Sequence, residues 1–470
     1  MNKDSFKKIN WEIIFLSLIL IFAFFIRVYN LGDTSLWIDE STSAMASKMI
    51  LAKGIPLFDS GLLYSRAYFF HYAQAFFMIF GQTDFFARFI SVIFGLLTIV
   101  LAYFIGKEYS KTGGIISALF VAVFYLEVFF SRQARFYQLF QLMFFLSIYL
   151  LYKSKKNPHY IYFALASFII TLDTQIEGLV LAPFFIIWIL VYQKKWKKLL
   201  AFIPGILLIW KMFSVFGLPS GSTESAMNYF GDYLTYIKNM VYLFILAIPG
   251  IILAFKKNKK LTLFIIAPSL ITLIGIFSLQ TFALRYAYFF VFPLVLYSSL
   301  LVSFLYEKYG KIILITILVL LIIPSNLFFP QTYINIIKPI DYHFNDYSAP
   351  ATNYKNIPLD ILNKLKDSEN VLISYFSSDV EWYVRKPDFV LPFSMDGRGE
   401  DQISMNSSNG EVDRYSGALI LKNIPDKPYY LIADAFSVSK LKEKQREFLN
   451  ELKEGCEIFY GAGDLKIYNC

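Results

Sequence analysis

Long apolar runs follow one another through the first two thirds of the chain and stop near residue 330. A helix needs about 20 apolar residues to cross the hydrocarbon core of a bilayer, and most of these runs approach that length. They predict about eleven membrane-spanning helices, at residues 11–26, 85–106, 115–130, 136–152, 160–172, 179–192, 199–216, 237–255, 261–279, 286–306 and 312–329. The fifth and sixth are short for a span and could pair as a hairpin.

Beyond residue 330 the charged residues become denser and the apolar runs shrink to the length of strands. The patterns predict strands at 371–374, 418–421 and 430–433, and helices at 359–366 and 439–452. The predicted fold is therefore a polytopic α-helical membrane domain over residues 1–330, followed by a small α/β domain over residues 331–470. The second domain carries no glycine-rich phosphate loop, metal-ligand spacing or recognisable catalytic motif.

Composition excludes a soluble protein, because 57% of the 470 residues are hydrophobic and only 17% are charged. The net charge of +9 does not indicate nucleic-acid binding, because the basic residues stand in short clusters between the apolar runs. Such clusters are typical of loops at a bilayer surface.

Lysines occupy alternate loops, which predicts the orientation of the chain. The loops that share a side with the N-terminus hold Lys107, Lys111, Lys153, Lys155, Lys156, Lys194, Lys195, Lys197, Lys198, Lys256, Lys257, Lys259, Lys260, Lys308 and Lys311. We expect a multi-pass plasma-membrane protein with a cytoplasmic N-terminus and an uncleaved first helix. An odd number of spans then makes the C-terminal domain extracytoplasmic.

Two outer segments are long, 29–84 and 217–236. The first should contain surface helices at 41–51 and 68–80, of which the second is aromatic enough to lie in the membrane interface. The other segment is rich in Gly, Ser and Asn, which predicts a loop.

The two cysteines, Cys456 and Cys470, flank a predicted hairpin with strands at 456–460 and 465–469. A hairpin would bring them within disulfide reach, which would suit an oxidising compartment. Two unpaired thiols in a reducing compartment are the alternative.

Two adjacent carboxylates, Asp39 and Glu40, follow the first span and stand beside Trp37. One interpretation is structural: Asp39 caps a helix that begins at Ser41, and Glu40 lies in its first turn. The other is chemical: an outward carboxylate acts as general base on a hydroxyl or amine acceptor. The two interpretations are compatible.

Arginines stand at outer helix ends, where the lysine pattern disfavours positive charge. They are Arg66, Arg132, Arg135 and Arg285, the last followed by Tyr286. They could extend to the interface for solvation alone. They could also bind the phosphate of a ligand in the outer leaflet, because the guanidinium fork matches phosphate oxygens.

Further acids lie near the outer face, and intramembrane acids indicate function. Glu127 and Glu177 are candidates for a second acid, although Glu127 could instead pair with Arg132 or Arg135. The chain has three histidines, which argues against a His-rich metal site and favours a structural role for His71.

The order of several motifs resembles the GT-C glycosyltransferases over most of residues 20–300. The motifs are LGDTSLWIDESTSAMASKMI, GIPLFDSGLLYSRAYFFHY, FGQTDFFARFISVIFGLLTI, SRQARFYQLF and RYAYFFVFP. The chain is most similar to the family 39-like branch that contains protein O-mannosyltransferases and lipid A aminoarabinose transferases.

The resemblance implies a hexosyl or pentosyl transferase that takes its sugar from a polyprenyl or dolichyl phosphate, with inversion, at the outer face. The acceptor would be a lipid, a glycan or a protein. Asp39 would be the catalytic carboxylate and Glu40 its neighbour. The donor phosphate would contact Arg66, Arg132, Arg135, Tyr137, Arg285 and Tyr286.

The sequence departs from those relatives in two places. Many of them carry Thr-His between the fifth and sixth helices, where this chain has Asp173-Thr174-Gln175, so a divalent metal requirement is left open. Many also carry Pro-Pro-Leu after the basic residue of the first loop, where this chain has Ala67-Tyr68-Phe69. The alternative function is a non-catalytic binder or transporter of lipid-linked glycans, although no internal repeat supports it.

Overall fold

The computed structural model describes residues 11–193, 196–216, 240–277, 284–310, 352–375, 377–392, 404–407, 410–425, 428–439 and 441–470. The chain divides into two compact units. The helical unit comprises Met1–Tyr29, Arg66–Phe70 and Phe89–Ile337, and the mixed unit comprises Asn30–Ser65, His71–Arg88 and Lys338–Cys470. The described residues of the first outer segment thus fold largely with the C-terminal residues.

The helices in chain order are α1 (Trp11–Val28), α2 (Ile38–Lys53), α3 (Tyr68–Met78), α4 (Asp84–Lys107), α5 (Lys111–Val123), α6 (Tyr125–Phe130), α7 (Tyr137–Lys153), α8 (Tyr160–Thr174), α9 (Leu181–Trp188), α10 (Phe202–Phe216), α11 (Val241–Phe277), α12 (Leu284–Ala287), α13 (Val291–Tyr309), α14 (Leu359–Asp367), α15 (Ser377–Tyr383), α16 (Ala435–Ser439) and α17 (Glu443–Leu452). Short 3-10 turns cover Ile176–Val180, Trp196–Ala201, Tyr288–Phe290 and Tyr354–Asn356, and Ile189–Gln193 forms a π-helical turn.

Four of the described helices are long and apolar enough to cross a membrane: Trp11–Val28, Asp84–Lys107, Val241–Ile276 and Arg285–Tyr309. Shorter apolar helices cover Lys111–Val123, Tyr160–Thr174 and Ile176–Tyr192. The count of eleven spans stays a prediction. The predicted span at 312–329, the loop at 217–236 and the domain boundary after residue 330 lie outside the described residues.

The span predicted at 115–130 is interrupted in the structure. Phe124 has φ −63° and ψ 128°, an extended conformation that separates α5 from α6. The carbonyls of Val121 and Ala122, at the end of α5, accept hydrogen bonds from the buried Arg27 at 3.3 and 2.8 Å. Arg27 therefore satisfies part of the helix end that the break exposes.

The spans predicted at 237–255 and 261–279 are joined in α11, whose backbone leaves the helical conformation at Asn258 (φ −146°, ψ 74°). The Oδ1 atom of Asn258 accepts a hydrogen bond from the amide of Leu261 at 3.2 Å. The side chain thus caps the second segment, and the break lies between the two predicted spans. The outer ends of both predictions lie outside the described residues.

Small residues allow close helix contacts in the helical unit. A Cβ atom added to Gly250 of α11 would lie 1.9 Å from the carbonyl oxygen of Tyr297 in α13. Ser117 of α5 and Ser299 of α13 share a hydrogen bond of 2.7 Å. Close approach with interhelical hydrogen bonds is typical of membrane helix packing.

The mixed unit is built on one sheet, with strands β1 (Val371–Ser374), β2 (Phe389–Val390), β3 (Ser404–Ser407), β4 (Gly410–Asp413), β5 (Leu419–Ile420), β6 (Tyr429–Asp434), β7 (Glu457–Ala462) and β8 (Leu465–Asn469). Their order is β3-β4-β5-β2-β1-β6-β8-β7. The four strands β5, β2, β1 and β6 run parallel, and the outer pairs are antiparallel. An α/β architecture is therefore observed at the C-terminus, and the helices α15 and α16 follow the adjacent strands β1 and β6.

The C-terminal hairpin is observed as predicted, with β7 and β8 paired antiparallel. Cys456 and Cys470 form a disulfide with their Cα atoms 4.2 Å apart. The bridge ties the end of the chain to the start of β7 and packs beside a core that includes Leu449 and Leu452 of α17.

We predict that replacing Cys456 and Cys470 together by Ser destabilises the mixed unit. The bridge closes a loop with a sequence separation of 14, and closing a loop of that size is worth about 3 kcal/mol. The measurement is urea-dependent proteolysis of this unit in the full-length protein. Reductant should shift the wild-type midpoint to that of the variant and leave the variant unchanged. A wild-type midpoint insensitive to reductant would contradict the prediction.

Candidate functional site

In the mixed unit, Glu40 is buried and paired with Arg88, a residue that the sequence analysis missed. Nε of Arg88 donates to Oε1 of Glu40 at 2.9 Å, and Nη2 donates to Oε2 at 2.7 Å. The two residues are 1% and 5% exposed. The geometry is the bidentate fork that makes arginine–carboxylate pairs strong and directional.

The same guanidinium holds the loop that precedes α2. Arg88 donates to the carbonyl oxygens of Leu31, Thr34 and Ser35, at 3.0, 2.8 and 2.9 Å. These bonds use Nη1 and Nη2, so one buried side chain fixes both the loop and Glu40.

The predicted start of the surface helix at Ser41 is wrong, because α2 begins at Ile38 and Trp37 is its N-cap residue. Oε2 of Glu40, at the third helical position, accepts the backbone amide of Trp37 at 3.3 Å. This return hydrogen bond satisfies an amide that would otherwise lack a partner at the helix start. Asp39 therefore lies in the first turn and does not cap the helix.

Asp39 is half-buried, and two ionisable groups of the same unit, Asp379 and Tyr415, respond to its charge. The pKa of Asp379 is raised to about 8, chiefly by burial and to a smaller extent by the negative charges of Asp434, Asp39 and Glu40, while the hydrogen bond from Ser41 lowers it. Burial likewise raises the pKa of Tyr415, with a smaller contribution from Asp39. The C-terminal residues of the mixed unit thus supply part of the surroundings of Asp39.

In the helical unit, the guanidinium groups of Arg66 and Arg135 both contact the ring of Phe136. The guanidinium carbons lie 4.7 and 4.4 Å from the ring centroid. Arg135 also lies 5.5 Å from the ring centroid of Tyr137. Aromatic faces attract cations, and this buried ring contacts two of them.

Asp173 fixes the backbone next to Arg66. Its two carboxylate oxygens accept the amides of Tyr68 and Phe69, the first residues of α3, at 3.0 and 2.9 Å. The amide of Ala67, which has a φ of 54°, donates to the Asp173 carbonyl at 2.8 Å. Asp173, one of the departures from the relatives, therefore works as a capping residue for α3.

Arg132 has partners that the sequence did not suggest. Its Nη1 donates to the carbonyl oxygens of Ile26, Arg27 and Tyr29, at 3.2, 2.8 and 2.8 Å. Ile26 and Arg27 lie in the last turn of α1 and Tyr29 follows it, so Arg132 satisfies carbonyls at the C-terminus of that helix. Its predicted contact with the donor phosphate stays a prediction.

Glu127 belongs to a buried polar network and forms no ion pair with Arg132 or Arg135 in the part of the chain that the structure describes. Oε1 accepts Nε2 of Gln141 at 2.9 Å, and Oε2 is 2.8 Å from the hydroxyl of Tyr288. The alternative of a local ion pair is therefore wrong. Tyr288 and Gln141 were missed, because long-range contacts of this kind leave no local pattern.

The remaining predicted residues lie in two places. Glu177 is in the turn Ile176–Val180, where it feels the positive charge of Arg66. Arg285 and Tyr286 share the short helix α12, with the guanidinium carbon 5.6 Å from the tyrosine ring centroid. Among the described residues no group of three or more His, Cys, Asp or Glu could hold a metal ion.

Solved structures with this fold confirm the resemblance. ArnT from Cupriavidus metallidurans bound to undecaprenyl phosphate aligns with a TM-score of 0.61 at 11% identity, over 98% of each chain. The archaeal oligosaccharyltransferase AglB from Archaeoglobus fulgidus, in complex with an inhibitory peptide and a dolichol-phosphate, aligns with a TM-score of 0.52 at 14% identity. That alignment covers 82% of this chain and 64% of AglB. The chain therefore has the fold of the GT-C glycosyltransferases.

A family model gives a second, narrower match. Residues 66–218 match the family described as dolichyl-phosphate-mannose-protein mannosyltransferase. The matched stretch includes Arg66, Arg135 and Phe136. No curated protein matches the sequence.

We predict that Arg88→Met lowers the free energy of unfolding by about 3–5 kcal/mol, because it leaves the Glu40 carboxylate buried and unpaired. Adding Glu40→Gln to Arg88→Met should recover part of this loss, because the uncompensated charge is removed. The measurement is the thermal unfolding midpoint of the full-length protein in detergent.

The matched control is Lys53→Met, which breaks the more exposed ion pair between Lys53 and Asp59 in the same unit. An ion pair of this kind is worth about 0–1 kcal/mol. Strictly additive effects of Glu40→Gln and Arg88→Met would contradict the coupling.

Proposed function

We propose that the protein is a membrane glycosyltransferase that takes a sugar from a polyprenyl phosphate and transfers it to an acceptor outside the cytoplasm. The observation that carries the proposal is the pair of guanidinium groups, Arg66 and Arg135, on one buried aromatic ring in an apolar helical unit. A lipid phosphate supplies the negative charge that such a pair attracts, and it reaches the site through the membrane.

Arg66 is the central residue of the proposed donor site. In the described part of the chain, the one hydrogen bond of its side chain runs from Nε to the carbonyl of Thr174 at 3.5 Å. Both terminal nitrogens are then available to phosphate oxygens in the bidentate arrangement that arginine favours. Asp173 supports this placement, because it fixes the backbone of the three residues that follow Arg66.

As the sugar leaves, negative charge develops on the departing lipid phosphate. Preorganised cations at that position lower the barrier, because they are in place before the charge appears. Arg66 and Arg135 are the proposed pair, with Arg285 and Tyr286 as further candidates. A contact from Arg132 would come in addition to its role at the end of α1.

Asp39 is the proposed general base of the two adjacent carboxylates. It is half-buried, whereas both oxygens of Glu40 are bound by Arg88. In an inverting transfer, the Asp39 carboxylate takes the proton of the acceptor hydroxyl or amine as that atom attacks the anomeric carbon. Glu40 acts as a positioning residue, because it fixes the first turn of α2.

The proposed setting follows from the lysine pattern and the disulfide. A cytoplasmic N-terminus with the C-terminal domain outside would place Cys456 and Cys470 in an oxidising compartment, where disulfides persist. Sugar and acceptor are proposed at the level of class: a hexose or pentose, moved to a lipid, a glycan or a protein. Gln175 stands where relatives carry His, and we derive no step through a metal.

The experiment that tests the function is transfer of radiolabelled sugar from polyprenyl-phosphate donors by the purified full-length protein. We expect label to move to an acceptor with wild type, and Asp39→Asn to reduce turnover by at least about a hundredfold, the lower end of the usual general-base contribution. Donor binding should persist in the variant. Binding without transfer by both proteins would favour a binder or transporter, and full turnover by Asp39→Asn would refute the base assignment.

We predict that Arg66→Met and Arg135→Met each weaken donor binding by about 10–100-fold, the effect of losing one charged hydrogen bond. Arg27→Met is the comparison variant, and it should chiefly lower the thermal midpoint because it removes the donor to the carbonyls of Val121 and Ala122 at the end of α5. The measurement is binding of a polyprenyl phosphate in detergent. Equal donor affinity in wild type, Arg66→Met and Arg135→Met would remove the proposed donor site.

A further inference from the structure

The hydroxyl of Tyr288 joins parts of the helical unit that are far apart in sequence. It lies 2.8 Å from Oε2 of Glu127 in α6 and 2.7 Å from Oε1 of Gln138 in α7. Each of the three side chains is at most 1% exposed. Because buried polar groups are costly to leave without a partner, these contacts hold the three segments at a fixed spacing.

Two glutamines extend the network around this hydroxyl. Nε2 of Gln141 donates to Oε1 of Glu127 at 2.9 Å, and Nε2 of Gln138 donates to Oγ1 of Thr98 in α4 at 2.9 Å. A buried network whose members bind one another is rigid, because moving one member breaks several hydrogen bonds. The helices α4, α6 and α7 and the turn Tyr288–Phe290 are therefore tied together at this point.

The ring of Tyr288 is held as firmly as its hydroxyl. It stacks on Phe130, with the ring centroids 3.9 Å apart and the planes at 27°. Phe130 also packs against Tyr137, with the centroids 5.8 Å apart. The guanidinium carbon of Arg135 lies 5.5 Å from the centroid of the Tyr137 ring. A chain of aromatic contacts thus runs from Tyr288 to one of the two arginines of the proposed donor site.

Arg285 precedes Tyr288 by three residues and lies in α12, which has four residues. A helix this short is not stable by itself, so contacts with other segments must hold it. The backbone stays in the helical region at Ala287 and at Phe290, on either side of the turn that leads into α13. Residues three apart on a helical path are neighbours on one face. Tyr288 is therefore the buried side chain through which the network can hold Arg285.

We propose that Tyr288 is a positioning residue that holds Arg285 and Arg135 in a fixed relative position, so that both guanidinium groups bind the same lipid phosphate. The inference rests on the proposed function, because it takes both arginines as contacts of the donor. It also gives the buried carboxylate of Glu127 a role: it binds the Tyr288 hydroxyl and keeps the tyrosine in place.

The test is a double-mutant cycle on the binding of a polyprenyl phosphate by the full-length protein in detergent. Tyr288→Phe keeps the ring on Phe130 and removes only the hydroxyl. We expect it to weaken binding by about three- to tenfold, the range of one lost hydrogen bond. In the Arg285→Met background the same change should alter binding by less than about twofold, because the residue that it positions is gone.

Tyr109→Phe is the matched control. It removes another buried tyrosine hydroxyl of the helical unit, which lies 2.9 Å from Oγ1 of Thr262. It should lower the thermal midpoint and leave the binding of the lipid phosphate unchanged, because Tyr109 lies between Lys107 and Lys111 in a loop that the lysine pattern predicts to be cytoplasmic. A similar loss of binding in Tyr109→Phe and Tyr288→Phe would reveal a general structural effect and overturn the inference.

Two variants at Glu127 test its part in holding the tyrosine. Glu127→Leu should weaken binding as Tyr288→Phe does. The conservative Glu127→Gln should restore binding, because its amide can still form hydrogen bonds with Tyr288 and Gln141. If Glu127→Gln binds the lipid phosphate no better than Glu127→Leu, the role given to Glu127 is wrong.

The outcomes separate this inference from the proposed function. An unchanged affinity in Tyr288→Phe or in Arg285→Met, or an equal loss from Tyr288→Phe with and without Arg285, would overturn the inference and leave the donor site at Arg66 and Arg135 in place. If Tyr288→Phe does not fold, Gln138→Met breaks the same contact from α7 and gives the same cycle. A wild type that binds no polyprenyl phosphate would refute the proposed function, and the inference would fall with it.

Discussion

The buried fork between Glu40 and Arg88 is the interaction on which the first outer segment depends. Burying a carboxylate here without a cation would cost desolvation free energy, and so would burying a guanidinium without an anion. Arg88 uses its remaining donors on three loop carbonyls, and Glu40 uses its accepting capacity on the helix N-cap. The start of α2, and with it the place of Asp39, follows from this one pair.

In the helical unit, buried positive charges likewise require partners. Arg27, Arg132, Arg66 and Arg135 are held by helix-end carbonyls or by the ring of Phe136, because charge among apolar helices requires a partner. The first two are used for structure, as each satisfies the end of a helix. The other two, Arg66 and Arg135, contact Phe136 and place positive charge near Asp173. The proposed donor site is therefore located there.

The sequence predicted features that depend on local pattern: the apolar helices, the C-terminal hairpin and the adjacent carboxylates after the first span. It did not predict Arg88 as the partner of Glu40, or Tyr288 as the partner of Glu127, because these contacts join distant residues. The start of α2 was misplaced because the capping group is the side chain of Glu40, three residues inside the helix. At the break near Phe124, Arg27 satisfies the carbonyls at the end of α5. At Asn258, the side chain of that residue caps the second half of α11. A hydropathy pattern registers neither contact.

The central claim is that Glu40 and Arg88 hold the loop and first turn that carry Asp39. Hydrogen exchange of the amides from 36 to 43 tests it most directly, in wild type and in Arg88→Met. The account predicts slow exchange in wild type and exchange faster by about tenfold or more in the variant, since tenfold corresponds to 1.4 kcal/mol. The amides of α17, in the same unit, should not change. Equal exchange at 36 to 43 in both proteins would contradict the account.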